Sequence, residues 1–142
     1  MSNKQFLALP YGKDDFPLLR EGNCYFVDKT PYLKTVFTDQ SAVMLFTRPR
    51  RFGKTLLISM FDSFLKINPE KPFDNSKQLE LFKGTKILED KEFCDKFMGQ
   101  CPVITITLKK VEGTNFKEFY ESFASAVHKV ASRYSYLKYS DK

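Results

Sequence analysis

The residues best suited to chemistry stand together at positions 48–55, in the order Arg-Pro-Arg-Arg-Phe-Gly-Lys-Thr. A Gly-Lys-Thr triplet that follows a buried strand and opens a helix is typical of a loop that binds phosphate. Gly53 lets the backbone approach a ligand closely, Lys54 is expected to reach the β and γ phosphates of ATP, and the Thr55 hydroxyl is the expected Mg²⁺ ligand. The predicted nucleotide-binding residues are Arg48, Pro49, Arg50, Arg51, Phe52, Gly53, Lys54 and Thr55.

The charge of the chain is concentrated at the same place. There are 23 Lys and Arg against 17 Asp and Glu, a net charge of +6, and no acidic residue stands between Gln40 and Phe61. Such a cluster predicts a phosphate-bearing partner, either a free nucleotide or the backbone of a nucleic acid, and a solvated basic loop is the third interpretation. The clustered cations are Arg48, Arg50, Arg51 and Lys54.

Other kinds of site have little to build on. Three cysteines without a Cys-x-x-Cys pair, and one histidine, argue against a disulfide framework and a zinc site. The sequence has no apolar run of membrane-spanning length and its N-terminus lacks the features of a secretory signal, so we expect no membrane partner and a cytoplasmic location. No catalytic residue can be assigned.

The loop needs elements that position it. Residues 42–47 are continuously apolar, which is typical of a strand buried in a parallel sheet, and the helix that starts at Lys54 carries an apolar face that ends before Asn68. The segment 103–108 is rich in β-branched residues and alternates isoleucine with threonine, as strands do, and 24–27 is a shorter strand candidate. Further helices are predicted after N-caps at Thr30, Asp90 and Asn115.

Strands alternating with helices predict an α/β fold: a P-loop NTPase-like, three-layer arrangement with a mainly parallel sheet. Three clear strands are fewer than the roughly five or six of an average sheet, so the fold is expected to be incomplete within these 142 residues. We expect residues 1–22 to form an irregular N-terminal arm and residues 23–142 the α/β core.

Three segments also resemble a known family: Tyr-Phe-Val-Asp-Lys-Thr at 25–30, the apolar run 43–46, and the basic loop 48–55. Together with shorter matches at 16–20, 81–84 and 102–104, they resemble the bacterial AAA-ATPase-like proteins over nearly the whole chain. In that family the loop normally begins with Arg where the general Walker A pattern has glycine. The resemblance implies an ATP-binding domain, commonly joined to a C-terminal nuclease-like domain of the PD-(D/E)XK class that this chain does not contain.

The resemblance also implies a Walker B strand ending in acidic residues, and this sequence does not supply one. The only candidate for this Walker B strand, 103–108, runs into Lys109 and Lys110, so whether the chain hydrolyses ATP stays open. Two alternatives to ATP binding stay open as well. One is a module that binds nucleic-acid backbone through residues 48–54, directly or within the full-length protein. The other is a partner-docking domain that self-associates through exposed sheet or helix faces.

Overall fold

Seven helical segments make up the regular structure of the computed structural model, which describes residues 7–47, 49–68, 70–72, 74–132 and 134. The chain divides into two units, Met1–Cys101 and Pro102–Lys142. In chain order the helices are α1 (Phe16–Glu21), α2 (Pro31–Thr38), α3 (Lys54–Leu65), α4 (Ser76–Leu81), the 3₁₀ helix α5 (Lys86–Glu89), α6 (Lys91–Phe97) and α7 (Phe116–Ala131).

The predicted helices are confirmed, and their first residues follow the capping signals. Pro31 opens α2, where its missing N–H is not needed, but the predicted cap Thr30 makes no side-chain capping hydrogen bond. The Asp90 carboxylate accepts from the Phe93 N–H at the start of α6, and Asn115 accepts from the Glu118 N–H at 3.0 Å at the start of α7. Local sequence therefore decides where these helices begin.

The predicted sheet is wrong for the part of the chain that the structure describes. No strand occurs there, and pairing is limited to two isolated parallel bridges, Ala8 with Cys24 and Lys66 with Cys101. The P-loop NTPase-like, three-layer α/β fold with a mainly parallel sheet is therefore corrected to a helical architecture. An isolated bridge pairs only one residue of each segment, so it does not form the ladder of hydrogen bonds that joins the strands of a sheet.

The segments predicted as strands carry the right residues but have no strand to pair with. Val43 and Leu45 are 84% and 83% exposed, although their segment was predicted to be a strand buried in a sheet, and Ile104 of the predicted strand 103–108 is 66% exposed. Apolar and β-branched residues favour strands because they pack well on a pleated, half-buried surface. That surface exists only when neighbouring strands supply it. The third candidate, 24–27, makes a bridge only at Cys24.

Residues 1–22 contain more order than an irregular arm. Asp15 caps α1 by accepting from the Leu18 N–H at 3.1 Å, and Pro17 fits the first turn. The helix then buries Phe16 and Leu19 against α3. Residues 1–6 of this segment lie outside the described ranges.

Aromatic rings form the core of the first unit and hold α3 in place. Phe16, Phe64 and Phe82 are fully buried, with ring centroids 4.7 Å apart for Phe16 and Phe82 and 5.2 Å for Phe64 and Phe82. Phe93 of α6 lies 5.9 Å from Phe64 in a stacked arrangement. Because Phe64 belongs to α3, this cluster fixes the helix whose first residues carry the predicted loop.

The second unit contains α7, which buries none of its side chains. Its apolar residues follow helical spacing, as expected, with Phe116 stacked near Tyr120 and Phe119 near Phe123. Whether this face binds a partner or a second copy stays a prediction. Among the described residues, no helix is long and apolar enough to cross a membrane.

Candidate functional site

A cleft of about 710 Å³ lies at the N-terminal end of α3. Its volume falls within the roughly 300–1,000 Å³ that small-molecule sites occupy. Two chain segments far apart in sequence form it, one just before α1 and one at the start of α3. The described lining residues are Tyr11, Gly12, Lys13, Asp14, Arg51, Gly53, Lys54, Thr55 and Leu56.

The backbone of the loop adopts conformations that side chains disfavour. Gly53 has φ +75° and Arg51 has φ +66°, so two of three consecutive positions are left-handed. Glycine adopts this region freely, whereas for Arg51 it costs about 1–2 kcal/mol. Such strain is concentrated at functional sites, because only a surrounding structure that over-determines the residue can hold it.

The first turn of α3 has no side-chain cap, since its N-cap residue is Gly53. The Leu57 N–H makes a helical bond to the Gly53 carbonyl at 2.9 Å. The N–H groups of a helix's first turn have no carbonyl of their own helix to donate to, and they carry positive partial charge. The start of α3 is therefore suited to accept an anion.

The structure brings half of the predicted nucleotide-binding residues to the cleft. Arg51, Gly53, Lys54 and Thr55 line it, and Lys54 and Thr55 are the first two residues of α3. Three others do not line it, although all are exposed: Pro49, Arg50 and Phe52. The remaining predicted residue, Arg48, lies outside the described residues.

The charges along the cleft are mostly positive. Three cationic residues line it, Lys13, Arg51 and Lys54, together with one acidic residue, Asp14. The Lys13 ammonium donates hydrogen bonds to the Leu18 carbonyl at 3.4 Å and to the Cys24 sulfur at 3.2 Å. This balance favours an anionic ligand at the end of the cleft where α3 begins.

Lys29 adds a further cation beside the loop. A side chain built on Gly53 would place its Cβ 3.3 Å from the Lys29 Nζ, so this ammonium lies against the glycine. Lys29 is held there by its neighbours, because Asp28 accepts from the Lys86 N–H at 2.8 Å and the fully buried Thr30 accepts from the Ile87 N–H at 3.2 Å. The sequence alone does not decide whether Asp28 and Lys29 face a ligand or only stabilise the fold. In the structure Lys29 lies beside Gly53, whereas Asp28 bonds to the backbone of Lys86.

Asp28 makes structural contacts. Burial raises its pKa, but hydrogen bonds from the Lys86 N–H and from the hydroxyl and N–H of Thr30 outweigh burial, so the pKa lies below its ordinary value of 3.8. A carboxyl with a lowered folded-state pKa stabilises the fold above its unfolded pKa, and that contribution is lost as the pH falls through the folded pKa.

We expect Asp28→Asn to weaken the dependence of stability on acid. Between about pH 5 and about pH 3, the free energy of unfolding should fall less in the variant than in the wild type, because the variant has no carboxylate to protonate at this position. Urea denaturation at a series of pH values measures this difference. Parallel pH curves for the two proteins would show that the Asp28 contacts contribute nothing in solution.

Sequence reasoning missed the segment 11–14. Its one local signal is Gly12 two residues after Pro10, a pattern that indicates a turn. Nothing in the spacing shows that this turn lies at a loop about forty residues further along the chain. Its position depends on tertiary contacts between α1 and α3.

The comparison with protein families gives one finding that bears on this cleft. The family model AAA-ATPase-like, described as "Predicted AAA-ATPase", matches residues 10–141. The chain belongs to this family. No curated protein matches it, and no solved structure matches it either. The match covers both segments that form the cleft in this AAA-ATPase-like chain.

Proposed function

We propose that this chain binds ATP, with the triphosphate at the N-terminal end of α3 and the variant Walker A sequence 48–55 as its phosphate-binding loop. The observation that carries the proposal is the cleft, in which Gly53, Lys54 and Thr55 lie together at an uncapped helix start. Membership of a family described as a predicted ATPase supports the same ligand.

Each residue of the loop has a separate task in this proposal. Gly53 leaves room for a phosphate against the backbone, and the first-turn N–H groups of α3 donate to its oxygens. Lys54 contributes a positive charge for the β and γ phosphates, as its equivalent does in other phosphate-binding loops. Arg51 adds positive charge to the cleft, and Lys29 adds positive charge beside Gly53.

The cleft also fits a magnesium ion carried by the nucleotide. Mg²⁺ prefers oxygen ligands and is bound by one or two protein groups together with phosphates and water. Thr55 supplies a hydroxyl and Asp14 a carboxylate on the same cleft, whereas the described residues contain no cluster of three or more potential metal-binding side chains. The ion would neutralise phosphate charge, and Thr55 is the residue that we expect to hold it.

Two glycines with the same backbone conformation provide a matched test. Gly53 has φ +75° and Gly84, after α4, has φ +76°, but an added Cβ meets Lys29 only at position 53 and open space at position 84. Alanine at either position should lower the free energy of unfolding by about 1–2 kcal/mol, because the left-handed region disfavours Cβ.

Only Gly53→Ala should also weaken ATP binding, measured by isothermal titration calorimetry in the presence of Mg²⁺. The added methyl group would occupy the place where phosphate approaches the backbone and would press against the Lys29 ammonium. Wild-type affinity in Gly53→Ala, or equal losses in both variants, would show that phosphate does not bind at this loop.

Coupling of ATP binding to a nuclease domain and a bacterial origin stay predictions from the family resemblance, and a cytoplasmic location stays a prediction from the sequence. The proposal concerns ATP binding, and whether the chain hydrolyses ATP stays open. The nucleic-acid alternative predicts binding of DNA that weakens steeply with salt and does not need Mg²⁺. DNA binding with those properties, without ATP binding, would replace the present proposal.

A further inference from the structure

The second segment of the cleft presents an aromatic ring that packs against almost nothing. Tyr11 lines the cleft and is 99% exposed. It is the one aromatic side chain among the described lining residues, since the others are glycine, charged, hydroxylated or aliphatic. A ring with both faces open, beside a site for charged groups, is available to stack on a flat ligand.

The turn that carries Tyr11 has a defined shape. The Lys13 N–H donates to the Pro10 carbonyl at 3.3 Å, and Gly12 adopts φ +70° at the third position of the turn. Because Tyr11 at the second position does not have a positive φ, this turn is type II, in which the third position favours glycine. Tyr11 therefore occupies the second position of a hydrogen-bonded turn.

The residues that directly follow this turn are tied to α3, the helix that begins at the phosphate loop. Ser59 of α3 donates to the Asp15 carboxylate at 3.1 Å and accepts from the Phe16 N–H at 2.9 Å. Ser59 lies four residues after Thr55, about one helical turn along α3. These two bonds, together with the buried Phe16, hold the segment after the turn against α3.

We infer that Tyr11 is the base-binding residue of the cleft and stacks on the purine ring of the nucleotide whose phosphates bind at α3. This inference rests on the proposed function, because it assigns the other half of the same ligand. A nucleotide has a charged end and a flat aromatic end. The start of α3 supplies cations and N–H groups for the first, and Tyr11 supplies an open ring face for the second.

Two probes separate the base from the phosphates: ATP, and inorganic tripolyphosphate, which lacks the base. Each is titrated calorimetrically, with Mg²⁺, into the wild-type chain, Tyr11→Ala, Tyr11→Phe and Lys54→Ala. Tyr120→Ala is the matched control, because Tyr120 is also an exposed tyrosine, at 60%, and does not line the cleft.

Tyr11→Ala should bind ATP about tenfold more weakly than the wild type, in line with the loss of one base–aromatic stack, and should bind tripolyphosphate unchanged. Tyr11→Phe should keep wild-type ATP affinity, since stacking uses the ring and not the hydroxyl. Tyr120→Ala should match the wild type with both probes.

Wild-type ATP affinity in Tyr11→Ala, with weakened binding of both probes in Lys54→Ala, would overturn the assignment of Tyr11 and leave the phosphate site standing. Equal weakening of ATP and tripolyphosphate in Tyr11→Ala would overturn it too, because the residue would then act on the phosphates. If neither probe bound the wild type, the proposed function and this inference would both be wrong.

Discussion

Replacing Lys54 with alanine is expected to weaken ATP binding roughly 10- to 100-fold. The ammonium of Lys54 lines the cleft at the first position of α3, where it contributes a charged contact to the β and γ phosphates. A hydrogen bond to a charged group contributes about 1.5–3 kcal/mol, which corresponds to that change in affinity. Calorimetric titration with ATP and Mg²⁺ measures it.

The fold should survive this substitution, because Lys54 is exposed and alanine is the best helix former. Lys91→Ala is the matched control, since Lys91 is also an exposed lysine at the first position of a helix, α6, and does not line the cleft. Equal affinities in Lys54→Ala, Lys91→Ala and the wild type would contradict the role assigned to Lys54.

Phe64→Ala is expected to lower the free energy of unfolding by about 3–5 kcal/mol. Phe64 is fully buried in α3, and its ring contacts those of Phe82 and Phe93 at centroid distances of 5.2 Å and 5.9 Å. Truncation removes buried apolar area and leaves a cavity that rigid neighbouring rings cannot fill. Urea denaturation followed by far-ultraviolet circular dichroism measures the loss.

Phe116→Ala gives the comparison for this prediction. Phe116 is a phenylalanine at the start of α7 that is 81% exposed, so its truncation should change stability by about 0.5 kcal/mol or less. If the two substitutions had the same effect, the aromatic cluster around Phe64 would not be the core of the first unit.

Helices could be predicted from the sequence because their signals are local. Asp90 and Asn115 lie within three residues of the N–H groups they accept from, and Pro31 opens α2 by its own geometry. The apolar face of α3 likewise repeats at helical spacing, and the structure buries Leu57, Met60 and Phe64 on it. In each case the information lies within one or two helical turns.

Strands could not be predicted in the same way, because a sheet depends on partners distant in sequence. The alternation at 103–108 and the apolar run at 42–47 meet the composition of a strand, but Ile104 and Val43 remain exposed and unpaired with any strand in the described chain. By contrast, the composition of the loop and the apolar face of the helix correctly predicted that α3 begins at Lys54, directly after Gly53.

The other half of the cleft depended on tertiary contacts. The turn that carries Tyr11 precedes Asp15 and Phe16, which are held against α3 by hydrogen bonds to Ser59. The position of Lys29 beside Gly53 similarly depends on contacts that Asp28 and Thr30 make with residues 86 and 87. No periodicity or spacing in the sequence marks these links.

Amide NMR of the chain titrated with ATP and Mg²⁺ tests most directly whether the start of α3 binds nucleotide phosphate. We expect saturable shifts that are largest for the N–H groups of Gly53, Lys54, Thr55 and Leu56, because hydrogen bonding to phosphate oxygen changes the environment of these protons. Saturable binding with its largest shifts elsewhere, or no binding of ATP at millimolar concentration, would contradict the proposed site.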